Sequence, residues 1–225
     1  MLVHAKVMLS ETNGPGKRAV IWFRGCLLCC KGCFNPETWN FLVPGVKRES
    51  AEMLIEWLGE AEDLYRITGV TFSGGEPMHQ AISLEYLCEC IKDRWPDFSI
   101  GMFTGYTQHE LDSGEYKTIR IIETGPTHGP VAALSFSKPP NLLLRSTWFS
   151  LKNYLDFAIM GRYVQSRPSK KPYLGSSNQE IVLFSSRYQL EDFGITQQME
   201  VTIESDGLIQ VTGFPKPGMD LSREL

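Results

Sequence analysis

Residues 19–34 read Ala-Val-Ile-Trp-Phe-Arg-Gly-Cys-Leu-Leu-Cys-Cys-Lys-Gly-Cys-Phe and join an apolar run directly to a group of cysteines. The run at residues 19–23 is apolar throughout, as expected of a strand that is buried on both faces of a parallel sheet. Cys26, Cys30 and Cys33 follow it at the spacing C-x3-C-x2-C. The sequence therefore predicts a central strand that ends in a loop carrying three thiols.

The three thiols of this loop are suited to binding iron. Cysteine thiolates hold [4Fe-4S] clusters, and a set of three leaves one iron without a protein ligand, where chemistry can take place. Cys29 opens an alternative, because Cys26 and Cys29, and likewise Cys30 and Cys33, also form the C-x2-C pairs of structural zinc sites. Zinc-binding pairs are usually separated by about a dozen residues, whereas these adjoin. The spacing therefore favours Cys26, Cys30 and Cys33 as cluster ligands over a four-cysteine zinc site.

The amino-acid composition is that of an ordinary globular protein. The chain has 225 residues, of which 42% are hydrophobic, enough for one large domain with a substantial core. No apolar run approaches the length of a membrane span, and residues 1–16 are mixed and polar, so we expect a cytoplasmic protein with reduced thiols. The net charge of -4 gives no case for direct nucleic-acid binding. Residues 138–171 are basic with one acid, Asp156, and predict either a solvated face or a docking surface.

Strand and helix patterns alternate after the cysteine loop. Ser50 can cap a helix, and residues 69–73 and 98–103 predict two further strands with a second helix between them. Each of these strands is followed by an unusual loop, Gly-Gly-Glu-Pro at residues 74–77 and Thr-Gly-Tyr-Thr at residues 104–107. Parallel α/β folds place ligand sites at the carboxyl edge of their strands. The three loops therefore predict one site in an α/β fold.

The cysteine triplet, followed one βαβ step later by Gly-Gly-Glu-Pro, resembles the radical S-adenosylmethionine (SAM) superfamily. Further stretches are similar to the activating proteins of anaerobic ribonucleotide reductases. They are Gly14-Pro-Gly16, residues 31–39 (Lys-Gly-Cys-Phe-Asn-Pro-Glu-Thr-Trp), residues 73–77, residues 104–107 and residues 175–179 (Gly-Ser-Ser-Asn-Gln). Many superfamily members carry an aromatic residue just before the third cysteine. Gly32 stands at that position here, and in this respect too the sequence resembles the narrower family.

The resemblance implies an enzyme with a [4Fe-4S] cluster and SAM as cofactors, in a partial (incomplete) radical SAM (βα) barrel. It implies that an electron from the cluster cleaves SAM, and that the resulting 5′-deoxyadenosyl radical takes a hydrogen from a glycine of the partner. That partner is the large subunit of an anaerobic ribonucleotide reductase or another glycyl-radical protein, and a flavodoxin-like protein is the expected electron donor. No catalytic residue is expected beyond the cluster and SAM. The implied SAM-binding residues are Ser73, Gly74, Gly75, Glu76, Thr104, Tyr106, Asn35 and Arg162.

Three features depart from the compact members of this family. Residues 113–153 are an insertion, and Met160 stands where the family strand usually carries an acid before its glycine. Near the C-terminus, alternating residues around Asp206-Gly207 predict a type I′ hairpin. We predict a partial-barrel domain at residues 1–184, followed by a C-terminal hairpin and tail at residues 185–225.

Some interpretations stay open on the sequence alone. The insertion and Met160 are compatible with a radical SAM enzyme that modifies a different peptide or small molecule. A non-catalytic iron-sulfur or zinc-binding module is the third possibility. Tyr106 either bounds the adenosine of SAM or packs in the core. Among the four scattered histidines, His79 follows Pro77 closely enough to line the pocket.

Overall fold

The computed structural model describes residues 1–44, 46–123, 132–136, 139–194, 199–203 and 209–213. Its strands are β1 (Leu2–Ser10), β2 (Arg18–Phe23), β3 (Lys47–Arg48), β4 (Gly69–Gly74), β5 (Ser99–Thr104), β6 (Ile119–Glu123), β7 (Ala132–Phe136), β8 (Phe157–Met160), β9 (Glu180–Leu183), β10 (Met199–Ile203) and β11 (Ile209–Gly213). Its α-helices are α1 (Ala51–Tyr65), α2 (Ala81–Arg94), α3 (Gln108–Ser113) and α4 (Leu142–Leu151).

Seven of the described strands form one mixed sheet in the order β3-β1-β2-β4-β5-β8-β9. Strands β2, β4, β5 and β8 are parallel to one another, whereas β1 and β9 pair antiparallel at either side of them. The predicted strands at residues 19–23, 69–73 and 98–103 are β2, β4 and β5, so the α/β prediction is confirmed. Strand β1 was missed, although Val3, Ala5 and Val7 alternate with more polar residues at the strand period.

Helices α1, α2 and α4 cover one face of this sheet. Ile21, Val70, Ile100 and Ala158, one from each parallel strand, are fully buried in the core that these helices share. Successive side chains of a strand point to opposite faces, so the alternate residues of the same strands form a second, separate face. None of the described helices is long and apolar enough to cross a membrane.

Arg18 closes one end of the second face. It begins β2 and is fully buried, and burial lowers its pKa. Its Nε donates to the Thr71 hydroxyl at 2.7 Å, and its Nη1 donates to the Ser99 hydroxyl at 3.2 Å. The guanidinium carbon lies 5.0 Å from the centre of the Phe157 ring, within the range of a cation–π contact. Arg18 therefore joins β2, β4, β5 and β8 at the amino ends of the parallel strands.

Part of the predicted insertion at residues 113–153 belongs to the helical layer. The insertion contains α4, where Trp148 is fully buried and donates its indole N–H to Asp112 at 2.8 Å. Helix α4 lies on the crossover between the parallel strands β5 and β8, a connection that usually carries a helix. Strands β6 and β7 pair with each other as a two-stranded sheet. The predicted insertion therefore includes one helix of the layer that covers the sheet.

The predicted C-terminal hairpin is confirmed. Strands β10 and β11 pair antiparallel, with Val201 opposite Val211, while the Asp206-Gly207 turn lies outside the described residues. Residues 185–194, which precede the hairpin, pack against β8 through Tyr188 and Phe193. The domain boundary between residues 184 and 185 stays a prediction.

Arg18→Lys is expected to lower the free energy of unfolding by about 2 kcal/mol or more. Lysine places its donors on one atom and lacks the planar group that stacks on Phe157, so buried acceptors lose their partners. The matched control is Arg66→Lys, because the Arg66 side chain is 79% exposed. Such surface changes usually stay within about 0.5 kcal/mol. Urea unfolding of both variants followed by circular dichroism measures the difference, and equal losses would contradict a structural role for Arg18.

Candidate active site

A cavity of about 360 Å³ opens at the carboxyl edge of the parallel strands. Its wall includes Cys26, Cys30 and Cys33 from the loop after β2, and Thr104 at the end of β5. The four residues 73–76, from the end of β4 onward, also contribute to it. Cavities of this size commonly hold small-molecule ligands. The structure thus brings the three loops that the sequence singled out to one place.

The backbone of the cysteine loop is held by the segment that follows it. Gly25 N–H donates to the Thr38 carbonyl at 2.6 Å, and Cys26 N–H donates to the Trp39 carbonyl at 2.9 Å. Residues Pro36–Thr38 form a short 3-10 helix that carries these acceptors back toward β2. The motif after the third cysteine therefore has a structural task, which is to hold the start of the cysteine loop.

His79 supports the same loop from the protein interior. The Leu27 N–H donates to His79 Nε2 at 2.9 Å, and His79 Nδ1 lies 2.7 Å from the Lys117 carbonyl. Burial lowers the pKa of His79 to about 4, so the ring is neutral at pH 7. Its tautomer follows from its partners, because Nδ1 must donate to the carbonyl and Nε2 must accept. His79 is buried beneath the loop, and it is not among the described residues that form the cavity wall.

The four cysteines of the loop differ in their surroundings. All are free thiols; Cys26 is buried, Cys30 and Cys33 are half-buried, and Cys29 is exposed. Burial raises the pKa of Cys26 to about 12 and also raises the pKa of Cys30. The Cys29 thiol donates to the Cys26 carbonyl at 3.3 Å, and Cys29 is not one of the described wall residues. Three thiols therefore share the cavity, and the fourth does not.

The donor set of the cavity fits a cluster bound by three thiolates. Buried thiols of high pKa stay protonated until a metal displaces their protons, which is the usual coupling of metal binding to ligand ionisation. The Asn35 N–H points at Cys33 Sγ over 3.4 Å, as backbone donors commonly do at sulfur ligands. In the described part of the chain, no three His, Cys, Asp or Glu side chains are grouped around a single point as ligands of one metal ion. Iron–sulfur clusters are instead held by cysteine thiolates.

The two glycines of Gly-Gly-Glu-Pro are required by the neighbouring backbone. Gly74 has a φ of +99°, and a β-carbon there would lie 2.5 Å from the Phe23 carbonyl oxygen. A β-carbon on Gly75 would lie 2.5 Å from the Gly25 carbonyl oxygen, in the cysteine loop. Glycine removes these clashes and lets the two loops touch. Substitution at Gly75 would therefore disturb the cysteine loop as well as any ligand that binds to the Gly75 backbone.

Glu76 joins the loop after β4 to the loop after β5. Its buried carboxylate accepts hydrogen bonds from the Met78 N–H at 2.9 Å, the Thr104 hydroxyl at 2.8 Å and the Gly105 N–H at 2.8 Å. Its own N–H donates to the Gly25 carbonyl at 2.9 Å. Burial outweighs these donors and raises the pKa of Glu76 to about 7. One residue thus contacts the loops that follow three strands.

The remaining predicted SAM-binding residues fall into two groups. Asn35 and Ser73 belong to the cavity wall, whereas neither Tyr106 nor Arg162 is among the described residues that form it. Tyr106 is 3% exposed and packs edge-on against His79, while the Arg162 guanidinium makes two hydrogen bonds to Glu110 at 2.7 and 2.8 Å. For these two residues, contact with SAM stays a prediction.

Several wall residues were not found from the sequence. His4, Ala5 and Val7 come from the missed strand β1, and residues 211–213 come from the distant hairpin strand β11. Trp39 also contributes, and its buried indole N–H has no acceptor among the described residues. No local pattern marks such residues, because only the folded chain brings them to the cavity.

Replacement of single cysteines by alanine tests the ligand set. Cys26→Ala, Cys30→Ala and Cys33→Ala should each lose most of the iron and sulfide after anaerobic reconstitution, because each thiolate binds a different iron. Cys29→Ala is the matched control in the same loop and should keep a nearly normal content. Iron and sulfide analysis with absorption spectroscopy measures both. A loss in Cys29→Ala as large as in the other three would indicate four-cysteine coordination.

The pKa of Glu76 predicts how stability depends on pH. Its pKa is raised from 4.5 to about 7 on folding, so its contribution to stability is present below about pH 4.5 and is lost as the pH rises through about 7. The free energy of unfolding of the wild type, minus that of Glu76→Gln, should therefore fall by up to a few kcal/mol between about pH 5 and pH 8. Urea unfolding of the cluster-free proteins measures it. A constant or rising difference would contradict the raised pKa.

Comparison with known proteins agrees with this geometry. Residues 12–125 match the model of a family described as the 4Fe-4S single cluster domain. The chain is 32% identical over 126 residues to the anaerobic ribonucleoside-triphosphate reductase-activating protein of Vibrio cholerae, an alignment that covers 55% of this chain and 80% of the relative. It is 27% identical over 177 residues to the protein of the same name from Enterobacteria phage T4, with 75% and 85% covered.

A shorter match involves a second kind of activating enzyme. The pyruvate formate-lyase-activating enzyme of Clostridium pasteurianum is 38% identical over 92 residues, which are 40% of this chain and 37% of the relative. The family model covers the cysteine loop, Gly-Gly-Glu-Pro and Thr104 together, the same groups that form the cavity. This chain therefore belongs to the 4Fe-4S single cluster domain family, together with the anaerobic ribonucleoside-triphosphate reductase-activating proteins.

Proposed function

We propose that this protein is a radical SAM enzyme that generates a glycyl radical on an anaerobic ribonucleotide reductase. The observation that carries the proposal is the shared cavity, in which three thiols lie beside the Gly-Gly-Glu-Pro loop and the end of β5. Its relatives are named as activating proteins for this reductase and, in one case, for pyruvate formate-lyase. The cofactors are a [4Fe-4S] cluster and SAM.

Cys26, Cys30 and Cys33 would hold the cluster. When bound, it supplies the electron with which SAM is cleaved to methionine and the 5′-deoxyadenosyl radical that takes a hydrogen from the target glycine. The protein's task is to hold these groups in position and to exclude water. The carbonyls of Thr38 and Trp39 and the side chain of His79 accept hydrogen bonds from the cysteine loop and help to hold it in place.

The loops after β4 and β5 would hold SAM. Gly74 and Gly75 belong to the cavity wall, and peptide carbonyls there would accept hydrogen bonds from the amino group of SAM. Glu76 bonds to Thr104 and Gly105 in the loop after β5, and it belongs to the same cavity wall as the three cysteines. Arg162 would have to leave Glu110 before it could bind the SAM carboxylate. Tyr106 is buried in the core and would support the loop after β5 from behind.

A partial barrel accounts for both the enclosed and the open sides of the cavity. The second face of the sheet lines it with Trp22, Phe103 and Ile159, which belong to β2, β5 and β8. These large apolar side chains exclude water from the reacting atoms. The sheet is not closed on itself within the described residues, because β3 and β9 are its two ends. An opening between these two ends of the sheet would admit a polypeptide loop.

The basic stretch at residues 138–171 would provide docking for acidic partners, including a flavodoxin-like electron donor. Lys138 lies outside the described residues, and Lys152 and Arg162 are paired with Asp112 and Glu110. Lys170 and Lys171 are exposed. Charges of this kind mainly raise the association rate, and their effect weakens with salt.

The proposal predicts a radical on the partner and not only SAM cleavage. Cluster-loaded protein with dithionite and SAM should give slow 5′-deoxyadenosine formation until the reductase large subunit of the same organism is added. The subunit should then show the doublet electron paramagnetic resonance signal of a glycyl radical. Deuterium from α-deuterated glycine in the subunit should appear in the 5′-deoxyadenosine.

The Cys33→Ala variant is the control and should give neither product. SAM cleavage without a radical on the subunit would contradict the proposed function and point to another peptide or a small molecule as substrate. A cluster that supports no SAM cleavage at all would contradict the enzyme class.

A further inference from the structure

Strand β1 has an edge that no described strand covers along most of its length. On one side it pairs with β2 from Val3 to Ser10, and on the other side β3 reaches only Leu2 and Val3. An uncovered edge presents backbone N–H and C=O groups that can pair with another chain. His4, Ala5 and Val7, which lie on this uncovered part, belong to the cavity wall.

Strand β11 has a second such edge, and residues of this strand border the same cavity. It pairs with β10 and with no other described strand. Val211, Thr212 and Gly213 form part of the cavity wall. The cavity therefore extends from the thiols into a cleft between β1 and β11.

Glu200 anchors the hairpin beside β1. Its carboxylate accepts hydrogen bonds from the Ser10 hydroxyl at 2.7 Å and the Glu11 N–H at 2.6 Å, both at the end of β1. The Thr12 and Thr212 hydroxyls also donate to it, each over 3.1 Å. Charge-assisted bonds of this kind are the stronger ones, so the hairpin is positioned by a specific contact and not only by the chain that leads to it.

The cleft wall is mostly apolar beside β1 and β11. It carries Ala5, Val7, Trp22 and Val211, together with His4 and Glu37, whose side chains lie 3.9 Å apart. Close by, the buried indole N–H of Trp39 has no acceptor among the described residues, while the Trp39 carbonyl holds Cys26. A buried donor without an acceptor is costly, so this position favours a ligand that supplies a carbonyl oxygen.

We propose that the cleft between β1 and β11 receives the glycine-bearing segment of the partner polypeptide as an extended strand. Strand addition uses repeated backbone hydrogen bonds, which the two uncovered edges provide. The Trp39 indole N–H donates to one carbonyl of that segment, next to the cysteine loop. A glycine-rich segment has little side-chain bulk, which suits a cleft between two strand edges. The proposal rests on the proposed function, because it names how the polypeptide substrate of that site is held.

Paired substitutions in the hairpin test the cleft. Val211→Glu places a carboxylate in its wall and should raise the concentration of reductase subunit needed for half-maximal activation by about tenfold or more. Val201→Glu is the matched control, because Val201 lies directly opposite on β10 but is 52% exposed and outside the described wall. It should behave like the wild type. Equal effects of the two substitutions, or no effect of Val211→Glu, would overturn the proposal.

Hydrogen exchange of the unaltered, cluster-loaded protein gives a test that does not depend on a variant folding. Addition of the reductase subunit should slow amide exchange in β1 at residues 4–9 and in β11, with α1 as the reference that does not change. Absence of protection in both strands would overturn the cleft even if the subunit gains its radical. Protection without a radical would support the cleft as a polypeptide site and contradict the proposed function.

Discussion

The buried carboxylate of Glu76 is the contact on which the site depends. It accepts from Thr104 and Gly105 beyond β5, while its backbone N–H reaches Gly25 beyond β2. Parallel strands end at a common edge, but their loops need a connection of their own to keep a fixed spacing. Glu76 supplies that connection from the central loop. Its burial costs free energy, which the surrounding donors partly offset and which appears as a raised pKa.

The two ends of the second face of the sheet, which borders the cavity, differ in their packing. At the amino ends of the strands Arg18 fills the space, and its donors are satisfied by Thr71, Ser99 and Tyr188. At the carboxyl ends the glycines and thiols leave the space open. The buried Arg18 guanidinium is hydrogen-bonded to neutral acceptors and lies against the Phe157 ring, so it fills the closed end of this face. The open end can then accept ligands without loss of the core.

The parts of the chain that exceed a compact βαβ core have specific structural tasks. Helix α4, within the predicted insertion, covers the sheet through the fully buried Trp148. The β10–β11 hairpin reaches across to β1 and completes the cavity wall through residues 211–213. Helix α4 thus covers one face of the sheet, whereas the hairpin borders the cavity at the other face.

The sequence by itself determined the parallel strands, the cysteine loop and Gly-Gly-Glu-Pro, because each depends on residues that are close together in the chain. The apolar run at residues 19–23 and the glycines at 74 and 75 carry their structural meaning locally, through burial and the lack of a β-carbon. Only the tertiary structure decided that His79 lies beneath the loop, that Tyr106 packs in the core and that Arg162 pairs with Glu110. It also decided that β1 and β11, about 200 residues apart in the chain, border one cavity. Such contacts depend on which long-range partners the folded backbone brings within hydrogen-bonding distance, and no pattern of neighbouring residues records that.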